Sequence, residues 1–222
     1  MFGGNLQRCR TAMLSHVREC RRALILGEGD GRFLAEFLRI CPEATVDVLD
    51  ISPTMLALAR KRVAGNSRVR FVVANVETEP IPGMGYDLIV TNFFLDCFST
   101  ERLARLIPKL AECLIPGGLW IVGDFRVPSR AALRRRAEMQ LAIMYAGFRV
   151  ATGLTTVQLA DPTPVLQGNG LSRIVEATWQ NGFLASQLWQ KPAMDSREPQ
   201  FCERAGSLLH NANGSVTILP PT

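Results

Sequence analysis

The sequence predicts an α/β chain: a doubly wound, mostly parallel sheet with helices on both faces. Three observations predict it. Short apolar runs alternate with helix-period segments up to Phe125. The connections between them are short, which favours parallel strands joined by crossover helices. The first run also ends in a glycine-rich turn, "LILGEGDGRF", that leads directly into a helical pattern.

The elements follow in order. Residues 5–19 place Leu6, Met13, Leu14 and Val17 at roughly helical spacing, which predicts an N-terminal amphipathic helix within residues 1–20. "RALIL" is a brief apolar run stopped by glycine, as in a buried central strand. "GRFLAEFLRIC" puts Phe33, Leu34, Phe37, Leu38 and Cys41 on one helical face. "ATVDVLD" is the second strand. Ser52 then reads as an N-cap with Pro53 at the first helical position of "PTMLALARKRV". "RVRFVVAN", "YDLIVTN" and "GGLWIVGDF" are strands three to five, the last after an "IPGG" turn, and "TERLARLIPKLAECL" is a helix despite Pro108. Residues 129–154 form a long helical stretch, a cap inserted after strand five. "LSRIVEATWQNGF" reads as another helix ending at Gly182, and "LASQLWQ" as a late strand. Residues 1–190 are thus expected to be one domain, and 191–222 a tail or an edge strand built from "SVTIL".

Composition narrows the classes. The 222 residues are 47% hydrophobic with a formal charge of +5, which fits a compact domain and falls short of a nucleic-acid footprint. The six cysteines include no C-x-x-C pair, and two histidines are too few for most zinc sites, so buried reduced thiols and no metal are expected. The sequence lacks a signal-peptide pattern and any apolar run of the ~20 residues that span a bilayer, which leads to a cytoplasmic expectation.

The glycine loop raises the functional question. Gly27, Gly29 and Gly31 let backbone approach a ligand at a strand tip above a helix N-terminus. A dinucleotide site uses that place for pyrophosphate, yet Glu28 and Asp30 would repel it, and Arg32 stands where G-x-G-x-x-G requires glycine. Acids suit a ligand that brings positive charge, and S-adenosylmethionine carries an ammonium and a sulfonium. Asp50 ends strand two about twenty residues on, where a carboxylate can accept both ribose hydroxyls. Nicotinamide cofactors use the same device, and Asp50 also has a plain reading as a helix-start acid.

These segments, with "VDVLDISPTML", "FVVANVE", "YDLIVTNFFLD" and "LIPGGLWIVGDF", resemble the class I S-adenosylmethionine-dependent methyltransferases over roughly residues 5–190. The resemblance implies a Rossmann-like sheet of about seven strands with a reversed last strand. It implies Gly27, Glu28, Gly29, Asp30 and Gly31 around the methionyl group, and Asp50 on the ribose. Ile51 and Met55 would line adenine, Asn75 and Val76 would meet its edge, and Asn92 and Phe93 would sit beside the sulfonium. Two positions depart from the family: Ile25 stands where an acid is common before the first glycine, and Asn75 where an aspartate usually meets adenine.

Methyl transfer needs a nucleophile held in line with the methyl group, and an oxygen nucleophile needs a base. Asp96 after strand four is the first candidate, with an alternative as a cap for the segment starting near Ser99. His16 and Tyr145 are further candidates, and Asp124 reads as structural or as a mouth residue. Aromatic residues around these positions point to a small hydrophobic or aromatic acceptor. Arg130, Arg134, Arg135 and Arg136 on the inserted helix suit a solvated face or peripheral contact with a membrane. The alternatives are a catalytically silent module of the same fold that binds the cofactor or a partner and, behind it, an NAD(P)-dependent oxidoreductase. The oligomeric state is left open.

Overall fold

The computed structural model describes residues 4–126 and 160–193. The order is helix α1 (Asn5–Thr11), a 3-10 turn (Leu14–His16), β1 (Arg22–Leu26), α2 (Arg32–Ile40), β2 (Thr45–Asp50), α3 (Pro53–Arg62), β3 (Val69–Val73) and β4 (Tyr86–Asn92). A second 3-10 turn (Leu95–Cys97), α4 (Thr100–Cys113), β5 (Leu114–Phe125), α5 (Thr163–Gly168), β6 (Ser172–Trp179) and β7 (Leu184–Gln190) complete it.

The seven strands form one sheet in the order β3-β2-β1-β4-β5-β7-β6. β1 to β5 pair in parallel, and β7 enters antiparallel between β5 and β6. Strand order reverses between β1 and β4, and in open α/β sheets a crevice for ligands opens beyond the carboxyl ends of the strands at such a point.

Both sheet faces are covered, and the strands show why. Along β1, Ala23 and Ile25 join Phe33, Phe37 and Leu56 of α2 and α3 on one face, with Met13, Leu14 and Val17 from the N-terminal segment. Leu24 and Leu26 turn to the other face, where Leu103, Ile107 and Leu110 of α4 meet Trp120, Trp189 and Leu166 of α5. A strand buried on both sides has no polar alternation to show, hence the continuous apolar runs.

Three sequence expectations change. The N-terminal helix is short: α1 stops at Thr11, and the chain kinks through the 3-10 turn so that adjacent Met13 and Leu14 both reach the core. The "IPGG" turn lies inside β5, where the register jumps from Tyr86 opposite Leu114 to Leu88 opposite Leu119. Residues 172–179 are strand β6 and not a helix. They pair with β7 across a turn in which Gln180, Asn181 and Gly182 all have positive φ. Asn-Gly is a strong hairpin signal, and Val175, Ala177 and Trp179 face inward at period two. The inserted helix (129–154) and "SVTIL" lie outside the described residues.

Candidate cofactor and acceptor site

The glycine loop closes β1 at the crevice end. Gly27, Gly29 and Gly31 all have positive φ. Gly27 and Gly31 are also spatially obligatory. A Cβ on Gly27 would stand 2.5 Å from the Phe94 ring, and one on Gly31 would stand 2.7 Å from Cα of Ala59 in α3. Gly29 alone faces open space, so the loop is packed on two corners and free on the third.

The two loop acids do different work from the one their sequence suggests. Asp30 bonds Arg32 Nε at 2.8 Å and Arg62 Nη2 at 3.0 Å, so its charge is compensated at the surface. Glu28 turns beneath the loop, 6% exposed, and accepts the Leu34 amide at 2.9 Å in the first turn of α2. Burial raises its carboxyl to about 8, against the lowering by the Leu34 amide and by Arg10. At neutral pH the loop therefore presents much less negative charge than two bare carboxylates would. The expectation that charge sign alone selects a cationic ligand is corrected accordingly.

At the tip of β2, Asp50 accepts the Ser52 amide at 2.8 Å and also faces the Gly29 amide, which ties the two strand tips together. Burial raises its pKa in spite of both amides. Each carboxylate oxygen accepts two hydrogen bonds, so capacity for a ribose hydroxyl remains. Ser52 caps α3 through the Met55 amide at 3.3 Å. Beyond it Ile51 is 67% exposed and Met55 is also exposed. Apolar side chains left in water at a strand tip suit a planar ligand face.

After β3, Asn75 Oδ1 accepts the Glu77 amide, and the Asn75 amide donates to Glu79 Oε1 at 2.9 Å. Val76 is buried in the core, and its carbonyl accepts Lys109 Nζ at 2.7 Å, so its side chain is not available to an adenine edge. At the tip of β4, Asn92 is 8% exposed, and neither side-chain atom has a hydrogen-bond partner among the described residues. A buried amide left without partners costs a few kcal/mol unless a ligand supplies them. Phe93 follows at φ 54 with its ring 4.9 Å from Phe125, and the Arg10 guanidinium stands 5.3 Å above it. Arg10, from α1, is a site residue that the sequence did not mark. Its signal is weak: one of several arginines on a short helix.

Of the catalytic candidates, Asp96 is brought to this end, in the 3-10 turn after β4 and 4% exposed. His16 is not. It is exposed beside Val17, whose carbonyl accepts the Cys41 thiol past the C-terminal end of α2, on the side of the sheet remote from the glycine loop. Tyr145 lies outside the described residues. Asp124, read as structural or as a mouth residue, is buried near the end of β5.

Residues 23–118 match the sequence profile of a family described as "Methyltransferase domain". The matched segment is similar to methyltransferase domains and makes up less than half of the chain. It is 36% identical over 129 residues to a ubiquinone/menaquinone biosynthesis C-methyltransferase of Azotobacter vinelandii, covering 55% of this chain and 49% of that one. It is also 36% identical over 119 residues to a trans-aconitate 2-methyltransferase of Methylobacterium nodulans, covering 52% and 44%. The chain thus spans about half the length of the curated relatives it matches. Among solved structures, the N-methyltransferase NodS of Bradyrhizobium japonicum, in complex with S-adenosyl-L-homocysteine, aligns with TM-score 0.61 and 18% identity, over 85% of this chain and 84% of that one. That likeness concerns the fold. The matched segment runs from β1 to the start of β5 and therefore includes the glycine loop, Asp50 and Asn92.

Proposed function

We propose that the chain binds S-adenosylmethionine at the crevice end of β1, β2 and β4 and directs methyl transfer to a small, hydrophobic or aromatic acceptor. The observation that carries this reading is the buried Asn92 amide, without a hydrogen-bond partner among the described residues and set at the same end of the sheet as the open Gly29 corner and Asp50. A ligand with a carboxylate, an ammonium and two ribose hydroxyls complements that donor and acceptor set. Bound there, it would supply an electrophilic methyl group on a sulfonium. Loop amides would receive the carboxylate, Asp50 would hold the ribose, and Ile51 and Met55 would cover the base. Phe93, Phe94 and Phe125 would exclude water from the reacting end, where desolvation strengthens every polar contact.

The aromatic cluster supports an apolar acceptor: Phe93 against Phe125, Phe125 against Phe183, and Phe94 against Phe98. The two relatives differ in acceptor by name, one in ubiquinone/menaquinone biosynthesis and the other a trans-aconitate methyltransferase, so the aromatic side chains carry the choice of acceptor class. Among the described residues no helix is long and apolar enough to cross a membrane. Calorimetric titration with S-adenosylhomocysteine and with NADH tests the cofactor: binding of the first and not the second is expected, and the reverse would overturn the reading. A silent module would bind S-adenosylhomocysteine yet transfer no labelled methyl group to lipid, quinone or phenolic fractions of a cell extract.

A further inference from the structure

The sheet face that packs on α1 and α2 is built in rows that run across β4, β5 and β7. Val90, Ile121 and Leu188 form one row, buried in the core with Phe33 and Phe37 of α2. At the crevice end, Phe125 and Leu184 are paired and pack with Cys9 of α1. Between these rows Asn92, Gly123 and Ser186 stand opposite one another in register. Residues two apart on a strand share a face, so this row is small and polar where both of its neighbours are bulky and apolar.

The polar groups of the row are unsatisfied. Asn92 is 8% exposed and Ser186 0%, yet neither atom of the amide nor the Ser186 hydroxyl has a hydrogen-bond partner among the described residues. Buried polar atoms are nearly always bonded, and two orphans in one row call for a third group. Gly123 shows how the two are related. It is glycine for reasons of space and not of conformation, because a Cβ there would collide with Asn92 Oδ1. The amide therefore lies across β5 in the direction of Ser186. Facing Cβ positions on paired antiparallel strands are about 4.5–5.5 Å apart, so one oxygen atom set between amide and hydroxyl can bond both.

Resting on the function proposed above, we propose that Asn92, Gly123 and Ser186 form an oxygen seat for an uncharged hydroxyl of an aromatic acceptor, with Ser186 as a specificity residue. The hydroxyl enters at Asn92, the last residue of β4. It donates to Asn92 Oδ1 and accepts from the Ser186 hydroxyl, and Asn92 Nδ2 remains for the cofactor. A carboxylate in the row would lose its hydration against neutral groups only. The Phe93 and Phe125 rings, 4.9 Å apart, flank the aromatic body. The seat orients the acceptor and moves no proton. Arg10, over Phe93, would favour a carboxylate, so an aromatic acid serves as the competing probe.

Naphthalene fluorescence measures the binding of 2-naphthol, naphthalene and 2-naphthoate to wild type and to Ser186→Ala. Wild type should prefer 2-naphthol to both others, and its preference over naphthalene should fall by about 10-fold in the variant. The same preference in both proteins, tighter binding of 2-naphthoate, or no binding of 2-naphthol overturns the seat. Thermal unfolding examines the hydroxyl itself. Ser186→Ala should unfold at the wild-type temperature or above it, since no bond within the protein is lost, and a lower temperature overturns the assignment. Calorimetry with S-adenosylhomocysteine on both proteins keeps the two readings apart. Absent binding removes the cofactor proposal and leaves the naphthol comparison standing, whereas retained binding with an unchanged naphthol preference removes only the seat.

Discussion

Replacing Glu28 with glutamine gives a stability effect whose sign reverses the usual expectation for removing a carboxylate. The wild-type side chain is held under the glycine loop on the Leu34 amide, and burial raises its pKa from 4.5 to about 8. The folded chain therefore holds a proton that the unfolded chain has already released across that interval. Stability from this group is fully present below the unfolded pKa and is lost as pH rises towards 8. At ~1.4 kcal/mol per pKa unit the loss amounts to roughly 5 kcal/mol as an upper bound. Glutamine keeps an acceptor for Leu34 and cannot ionise. Urea unfolding from pH 4.5 to 8.5 should show the variant gaining on wild type by several kcal/mol across the range. A difference between the two proteins that stays flat with pH would refute the reasoning, because it would mean that Glu28 is ionised in the folded state.

Further predictions follow from the same geometry. Gly31→Ala meets both a φ of 85° and the α3 backbone at 2.7 Å, so thermal unfolding should show a loss of about 2–4 kcal/mol. Gly182→Ala meets the same φ problem with no neighbour within 4 Å, and should cost only about 1 kcal/mol by the same assay. Asp50→Ala should weaken S-adenosylhomocysteine by about 10–100-fold in calorimetry, since a charge-assisted bond contributes ~1.5–3 kcal/mol.

The fold was largely legible because its central strands are buried on both faces. Runs such as "RALIL" and "YDLIVTN" have no competing reading when glycine or a helical period bounds them. The misread element, residues 172–179, is an edge strand with only Val175, Ala177 and Trp179 on its covered face; the exposed Ile174 beside them completes a spacing that a helix could also use. The Asn-Gly of the following turn was the signal that should have decided it. The placement of Gly27, Gly29, Gly31, Asp50 and Asn92 at or just past the strand tips was legible because backbone approach and strand-tip position are local properties. The fate of Glu28 and Asp30 was not. Which carboxylate turns under a loop, and which meets Arg62 from another helix, depends on packing that spacing does not encode.

The central claim is that one end of this sheet holds a nucleoside-bearing methyl donor. A crystal structure of the chain with S-adenosylhomocysteine tests it most directly. The account predicts ribose hydroxyls on Asp50, the homocysteine portion against Gly29, and a ligand contact to the Asn92 amide. Binding elsewhere, such as in the open groove of about 580 Å³ between Leu56, Arg60 and Phe71, with Asn92 left without a partner, would contradict it.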